Sequence, residues 1–256
     1  MKLLIQKLIH YLLLLILTTL MINCAGVKPQ ADWTASQYFE YAMKKYQEED
    51  YYDAANEFTV VTLRYAGSAV ADSAQYYLGL SHYHMDEYLI AAAEFEKLIN
   101  NMSRSPLVAK AIYQLGKSYY QLSPRSSLDQ EYTEKSIRAF QLFIEQFPAH
   151  ELKDEAQHKI NDCRNKLAKK KYDSAQIYRK MHEYKAAILY FEQLLNEYYD
   201  SVWADNALLA KIETELQIDD YQAARNDIEK FKEQFPKSEL LDEVRNLENE
   251  LLASNE

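Results

Sequence analysis

The stretch Glu87-Tyr88-Leu89-Ile90-Ala91 contains a pattern that recurs along this chain: an acidic residue, a tyrosine and, three positions later, an alanine. The other copies are Asp50-Tyr51-x-x-Ala54, Glu183-Tyr184-x-x-Ala187 and Asp220-Tyr221-x-x-Ala224. A large apolar residue follows each alanine by four positions: Phe58, Phe95, Phe191 and Ile228. A small residue precedes three of the alanines by twelve positions: Ala42, Gly79 and Ala175. Helix-turn-helix pairs explain this spacing, because a small residue on the first helix lets the second helix approach closely.

These offsets resemble the tetratricopeptide repeat, which combines the same small residue, alanine and aromatic residue with a late proline. A fifth, altered copy lies in the middle of the chain, from Gly116 through Ser136 and Phe140 to Pro148. About eight extra residues separate its helices, around positions 123–127. Only four glycines and five prolines occur in 256 residues, which leaves little material for β-turns. We therefore predict an all-α superhelical array of about five tetratricopeptide-like pairs, with about ten helices and no sheet.

The amino terminus has the features of an export signal. Lys2 and Lys7 precede an apolar run over residues 8–22, which is short for a membrane span and suits a secretory signal. Cys24 follows this run after Asn23, and a cysteine in this place resembles the acylated cysteine of bacterial lipoproteins. We expect a signal peptide over residues 1–23, a covalent lipid on Cys24 and no other cofactor. A cleaved soluble protein or an uncleaved anchor would give Cys24 no role.

The sequence after the cysteine bears on the destination of the protein. Ala25 and Gly26 place no acidic residue directly after Cys24, and the enterobacterial sorting rule then favours the outer membrane. The formal net charge is −10, and loss of Lys2 and Lys7 with the signal peptide brings it to −12. A chain this acidic is not expected to bind nucleic acid.

One basic run interrupts the acidic sequence: Arg164, Lys166, Lys169, Lys170 and Lys171. It is either the solvated face of a helix whose Leu167, Ala168 and Tyr172 point inward, or a docking patch for an acidic partner. Both interpretations stay open.

Patterns that indicate catalysis or metal binding are missing from the sequence. His82 and His84 lie two positions apart, which directs them to nearly opposite sides of a helix. Cys163 has no histidine partner at a useful spacing and is expected to be an inert, partly buried thiol. We therefore expect neither an enzyme nor a metal site.

The chain contains twenty-two tyrosines, and most of them fall at positions where helices are expected to pack. A minority could line a groove instead, since an amphipathic ring suits peptide recognition. The candidates for a peptide groove are Tyr38, Tyr41, Tyr76 and Tyr83.

Two stretches narrow the resemblance from a repeat to a family. The residues AFQLFIEQFP at 139–148 resemble the end of the third repeat in the BamD family, also called YfiO or ComL, and the residues after them resemble the long helix that follows there. The residues LAKKKYDSA at 167–175 resemble the start of the fourth repeat in that family, with Lys171 where glutamate is usual. The resemblance covers nearly all of the mature chain.

The resemblance implies a lipid-anchored scaffold at the periplasmic face of the outer membrane, within the β-barrel assembly machinery. Residues 24–34 would be a lipidated linker. Repeats one to three, over 35–149, would bind unfolded β-barrel substrates and accessory lipoproteins of the same machinery. Repeats four and five with the long helix, over 150–256, would bind the last POTRA domain of BamA. Leu189-Tyr190-Phe191 stands where a basic contact to that domain is expected, so this contact is apolar or lies elsewhere.

Two other functions remain as alternatives. One is a different repeat-containing envelope lipoprotein, such as a pilotin-like carrier of secretin subunits or a coordinator of cell division. The other is an enzyme with an appended repeat module, for which the array leaves no room in the sequence.

Overall fold

The computed structural model describes residues 32–253, and this part of the chain folds into eleven helices without a strand. They are α1 (Ala35–Gln47), α2 (Tyr51–Arg64), α3 (Ala71–His84), α4 (Tyr88–Asn101), α5 (Val108–Leu122), α6 (Glu131–Gln146), α7 (Lys153–Lys180), α8 (Tyr184–Glu197), α9 (Ala204–Gln217), α10 (Tyr221–Gln234) and α11 (Leu241–Ala253). Consecutive helices pack together, and α1 to α10 form five pairs. The predicted array is confirmed, whereas Cys24 and the signal peptide lie outside the described residues.

The turn inside four of the pairs explains why the motif begins with an acidic residue and a tyrosine. A left-handed residue follows the end of the first helix by two positions, with φ between 59° and 61°, at Glu49, Asp86, His182 and Asp219. The next residue is the acidic one, and its N–H closes the turn by donating to a carbonyl five positions back, as from Asp50 to Lys45 at 3.0 Å. The second helix then begins at the tyrosine.

The tyrosine of the motif secures this left-handed residue in three of the four turns. The hydroxyl group of Tyr221 donates to Asp219 Oδ1 at 2.7 Å, and Tyr88 makes the same bond to Asp86. In the fourth pair, Tyr184 Oη lies 2.8 Å from His182 Nδ1. A non-glycine residue is uncommon in this backbone conformation, and the side-chain bond helps to hold it there.

Close packing of an aromatic ring on a small residue joins the two helices of a pair. A Cβ atom added to Gly79 would lie 2.7 Å from the ring of Phe95, and one added to Gly116 would lie 2.8 Å from the ring of Phe140. Both rings are fully buried, and so are Phe58 and Phe191 at the same place in their pairs. The positions that the sequence predicted for helix contact are therefore confirmed.

The third pair carries the expected insertion between its helices. The side-chain amide of Gln130 donates to the carbonyl oxygens of Arg125 and Leu128 at 2.9 and 3.0 Å, which folds the connection back on itself. Helix α7 follows and is 28 residues long. Its first half packs on α6, and its second half is the first helix of the fourth pair.

Helix α11 ends the array and was not predicted from the repeat pattern. Val244 and Leu251 are buried in the core shared by the fourth and fifth pairs. Asp242, Glu243, Asn246 and Glu250 are exposed on the other side. Such a polar outer face is what the last element of a repeat array needs. No helix within residues 32–253 is both long and apolar enough to cross a membrane.

We expect Gly79→Ala to lower the free energy of unfolding by about 1 kcal/mol. The methyl group gains about 1 kcal/mol of helix propensity, but overpacking against Phe95 costs about 1 to 3 kcal/mol. The matched control is Gly67→Ala, since a Cβ at Gly67 would meet nothing within 4 Å and its φ is negative. Urea denaturation of both variants measures the difference, and equal stability of the two would contradict the close contact.

Candidate functional site

The inner surface of the superhelix is built from the first helices of the pairs. Besides their own partners, α1, α3, α5, α7 and α9 contact one another in succession. Contacts of this kind place the first helices on the inner side of a helical repeat array and the second helices on the outer side. Extended peptides and partner proteins are usually bound on the inner side.

Tyr38 and Tyr41, two of the groove candidates, lie together at the start of the array. Their rings stand edge-on to Trp33, with centroid distances of 5.5 and 5.7 Å. Tyr38 is buried and also contacts Tyr65, whereas Tyr41 is half-buried. Of the two, Tyr41 leaves more of its ring available to a ligand.

Tyr76 and Tyr83 lie on α3 but face different surroundings. Tyr76 is buried against Phe95, and burial raises the pKa of its hydroxyl group. Tyr83 is half-buried and faces α5, where the ammonium group of Lys117 lies 5.2 Å from its ring centroid and Gln121 Nε2 donates to its oxygen at 3.2 Å. The structure therefore does not gather the four tyrosines into one cluster, and their role in a groove stays a prediction.

Two further tyrosines join Tyr83 in a row that the sequence analysis missed. Tyr46, Tyr83 and Tyr120 lie 37 residues apart, at the same position of α1, α3 and α5, and this interval is visible in the sequence. Lys159 reaches from α7 to within 4.2 Å of the Tyr120 ring centroid, as Lys117 reaches from α5 to Tyr83. In both cases the tyrosine lies on the first helix of one pair, and the lysine lies on the first helix of the next pair.

The first member of the row has aromatic neighbours instead of a cation. The ring of Tyr46 stands edge-on to Tyr77 at 5.2 Å and to His84 at 5.8 Å. Burial raises the pKa of Tyr46 to about 12, and burial together with the charge of Lys117 lowers the pKa of His84. The row therefore presents neutral aromatic rings at one end and ammonium groups beside rings at the other. Such a surface is suited to apolar and aromatic side chains and to a carboxylate.

The basic run on α7 makes contacts within the chain at every one of its five positions. Lys166 donates to Ser123 Oγ at 2.6 Å and Lys170 to the carbonyl of Leu128 at 2.8 Å, so both hold the α5–α6 connection. Arg164 donates to Asp200 Oδ1 at 2.6 Å, which lowers the pKa of that carboxyl group.

The other two cations of the run are engaged in the same way. Lys171 pairs with Glu197 at 3.2 Å, and Lys169 pairs with Asp173 and lies 4.7 Å from the ring centroid of Trp203. Leu167 and Ala168 are buried, as the helical interpretation expected. Docking of a partner on this run stays a prediction, and in this structure the run joins α7 to its neighbours.

Few side chains within the described residues could act in catalysis or bind a metal ion, and these are buried or already hydrogen-bonded. Cys163 is buried, and this burial raises the pKa of its thiol. His82 Nδ1 lies 2.6 Å from Glu87 Oε2 at the turn of the second pair. Residues 32–253 contain no group of three or more His, Cys, Asp or Glu side chains placed to hold a metal ion.

One buried charged cluster joins α8, α9 and α10. Lys211 lies 2.6 Å from Glu215, 2.5 Å from Asp227 and 3.4 Å from Glu192. Glu215 is 2% exposed, and its Oε2 atom has no hydrogen-bond partner within the described residues. Burial raises the pKa of Glu215 to about 7, although the bond to Lys211 acts in the opposite direction. The negative charges of Asp227 and Asp220 add to the increase.

We expect the stability of the protein to fall as pH rises from about 4.5 to about 7 through Glu215. An ordinary glutamate loses its proton near 4.5, whereas the folded protein holds this one until about 7, so proton release favours the unfolded chain in between. In Glu215→Gln this contribution is absent, and the fall over that window should be smaller. Glu243→Gln on the exposed face of α11 is the control, and urea denaturation at several pH values is the measurement. An unchanged pH profile in Glu215→Gln would contradict the raised pKa.

Comparison with known proteins gives one family match. The model of a family described as YfiO, outer membrane lipoprotein, matches residues 31–218. A search of curated proteins gives no match.

Similar solved structures contain helical repeats. The TPR2AB domain of yeast Sti1 in its pHSP90 complex is 12% identical, with a TM-score of 0.42, over 79% of this chain and 78% of that one. A tetratricopeptide repeat protein of Parabacteroides merdae is 14% identical, with a TM-score of 0.38, over 86% and 74%. A thermophilic tetratricopeptide repeat protein of Thermus thermophilus is 16% identical, with a TM-score of 0.37, over 86% of this chain and 100% of that one. Similarities this low carry no inference about function.

Proposed function

The chain belongs to the YfiO family of outer membrane lipoproteins, and from this premise we propose that it is a scaffold subunit of the outer-membrane β-barrel assembly machinery. The match over residues 31–218 carries the proposal. In this proposal, the protein is anchored by lipid at Cys24 on the periplasmic face of the outer membrane. It binds BamA and unfolded β-barrel proteins without catalysing a reaction.

The inner surface of the first three pairs supports the binding of β-barrel substrates. An unfolded β-barrel protein offers alternating aromatic or apolar side chains and, at its end, a carboxylate. Tyr46, Tyr83 and Tyr120 offer ring faces, and Lys117 and Lys159 place ammonium groups beside two of them. Recognition would combine ring contacts, which give affinity, with charge attraction, which acts chiefly on the rate of encounter and weakens with salt.

The fourth and fifth pairs are proposed to bind BamA. Residues 201–256 carry fourteen acidic and six basic residues, so the two ends of the array differ in charge. Leu189 on α8 is exposed where a basic contact was expected, which favours an apolar contribution to that interface. Two separate surfaces on one rigid array would hold a substrate near BamA without any chemical step.

The lipid anchor is tested by Cys24→Ala. We expect the precursor to lose the lipid, because the variant has no thiol at position 24 to acylate, and with it the cleavage that follows acylation. Stable anchoring needs more than one acyl chain, so loss of the lipid removes the anchor. The protein should leave the outer-membrane fraction, and the measurement is fractionation with intact mass determination. Cys163→Ala is the control because that thiol is buried and should leave the anchor unchanged. Unchanged outer-membrane association of Cys24→Ala would overturn the anchor.

The function is tested by depletion in the organism that carries the protein. We expect the levels of outer-membrane β-barrel proteins to fall several-fold, while inner-membrane proteins stay unchanged, as measured by quantitative proteomics of the two membranes. If β-barrel levels stayed normal and secretin assembly were lost, the pilotin-like function would replace the proposal. If β-barrel levels stayed normal and septation were lost, the division function would replace it.

The inner surface is tested in the same depletion strain by complementation. Lys117→Glu with Lys159→Glu should fail to restore β-barrel levels if the row binds substrate. Arg104→Glu with Arg138→Glu introduces the same change in net charge at exposed positions of the first three pairs, away from the row, and should restore them. Equal complementation by the two double variants would remove the row from the proposed site.

A further inference from the structure

Each second helix of the array has one side that points away from the core. It is formed by positions two before, two after, five after and nine after the alanine of the motif, or after Ser136 in the third pair, because these positions lie opposite the buried ones on a helix. We call this side the outward stripe. On α2 it consists of Tyr52, Asn56, Thr59 and Leu63. Of the twenty stripe residues in the five pairs, all are exposed except Thr59, which is half-buried.

The outward stripes change in character along the chain. Seven of the twelve stripe positions on α6, α8 and α10 carry charged residues: Glu134, Arg138, Glu145, Lys185, Glu192, Glu229 and Glu233. Among the eight stripe positions on α2 and α4, Glu96 is the one charged residue, and its carboxylate accepts a hydrogen bond from Tyr119 Oη at 2.7 Å. The stripes of the first two pairs are therefore nearly uncharged.

Large apolar side chains replace the missing charges on α2 and α4. Tyr52 and Leu63 are 69% and 78% exposed on α2, and Leu89 is 56% exposed on α4, where Ile90 beside it is 45% exposed. The stripes of α6, α8 and α10 together hold one large apolar residue, Leu189. An exposed surface that gathers several apolar side chains and few charges marks an interaction site.

These two helices are also the second helices closest along the chain to the proposed lipid anchor. Nine steps of the chain lead from Cys24 to Trp33, and they span about 30 Å at full extension. The carbonyl oxygen of Trp33 accepts a hydrogen bond from Tyr65 Oη at 2.7 Å, which places Trp33 at the carboxyl end of α2. Leu63 thus lies close to the point where the chain from the anchor enters the array. Acyl chains on Cys24 would keep this end of the first pair near the bilayer.

We propose that the outward stripes of α2 and α4 rest on the surface of the bilayer to which Cys24 is anchored. The inference rests on the lipid anchor of the proposed function and adds an orientation to it. A helix in this position buries its apolar side about 5 to 10 Å into the boundary between headgroups and acyl chains. The ring of Tyr52 suits the headgroup level, and Asn56 and Thr59 are able to form hydrogen bonds there. Arg64, exposed at the end of α2, suits the lipid phosphates.

Contact of this kind would orient the protein, whereas the acyl chains would attach it. Because the second helices form the outer side of the array, a bilayer against α2 and α4 turns the inner surface away from the lipid. The row of Tyr46, Tyr83 and Tyr120 would then face the periplasm. The charged stripes from α6 onward are expected where a superhelix curves away from the bilayer into water.

The test uses the full-length, lipidated protein in vesicles of phosphatidylethanolamine and phosphatidylglycerol. A bimane fluorophore is attached at Leu63→Cys or Leu89→Cys in a Cys163→Ala background, so that the acylated Cys24 is the only other cysteine. We expect lipids brominated in the upper part of their acyl chains to quench both labels at least twofold. Leu189→Cys is the matched control, because this leucine is 52% exposed on the outward stripe of α8, and its label should not be quenched.

A charged variant tests whether the apolar side chains cause the contact. Adding Tyr52→Glu and Ile90→Glu should reduce quenching at positions 63 and 89 to the level of the control. The melting temperature should stay unchanged, because both side chains are exposed. Quenching that persists in this variant would show that the tether alone brings the labels to the lipid, and would overturn the proposal.

The remaining outcomes separate this inference from the proposed function. Intact mass determination comes first, and a chain without lipid on Cys24 would overturn the anchor and this inference together. With the lipid present, quenching at positions 63 and 89 no stronger than at 189 would overturn this inference alone. A blue shift of the emission without quenching would assign the surface to a second copy of the chain and would also overturn it. Quenched labels together with normal β-barrel levels after depletion would keep the inference and remove the proposed function.

Discussion

The fold depends on the contact between an aromatic ring of one helix and a small residue of its partner. The ring of Phe95 lies so close to Gly79, and that of Phe140 so close to Gly116, that even a methyl group would not fit between them. The other side of each second helix packs on the first helix of the next pair. The array is then a chain of nearest-neighbour contacts, and each pair depends on those beside it.

The sequence alone predicts this local order well, because the repeat spacing records it directly. Ala54, Phe58 and their counterparts are buried where the pattern placed them. Other features escape the sequence because their partners are distant along the chain. Lys166 and Ser123 are 43 residues apart, and no local pattern shows that they meet. The basic run therefore looked like a solvated face or a docking patch, and its contacts inside the molecule became visible only in three dimensions.

The inner surface shows a different limit of prediction. Tyr46, Tyr83 and Tyr120 share one interval in the sequence, so their equivalence is readable there. Which tyrosines face inward is decided by how successive pairs are rotated, and the repeat pattern does not state that rotation. Tyr38 and Tyr76, two of the predicted groove residues, lie buried, whereas the lysines beside Tyr83 and Tyr120 come from the next first helix. A surface of this kind belongs to several pairs at once, and single-repeat reasoning does not find it.

Helix α7 turns an interruption of the repeat into a surface. Because one continuous helix serves the end of the third pair and the start of the fourth, the second helix of the preceding pair, α6, packs only on its first half. On the later half, Ile177 and Met181 are 57% and 62% exposed. The exposed side of α11, in contrast, carries mainly polar side chains. A first helix that is longer than the second helix before it therefore exposes apolar side chains at a place where the regular pairs have buried positions.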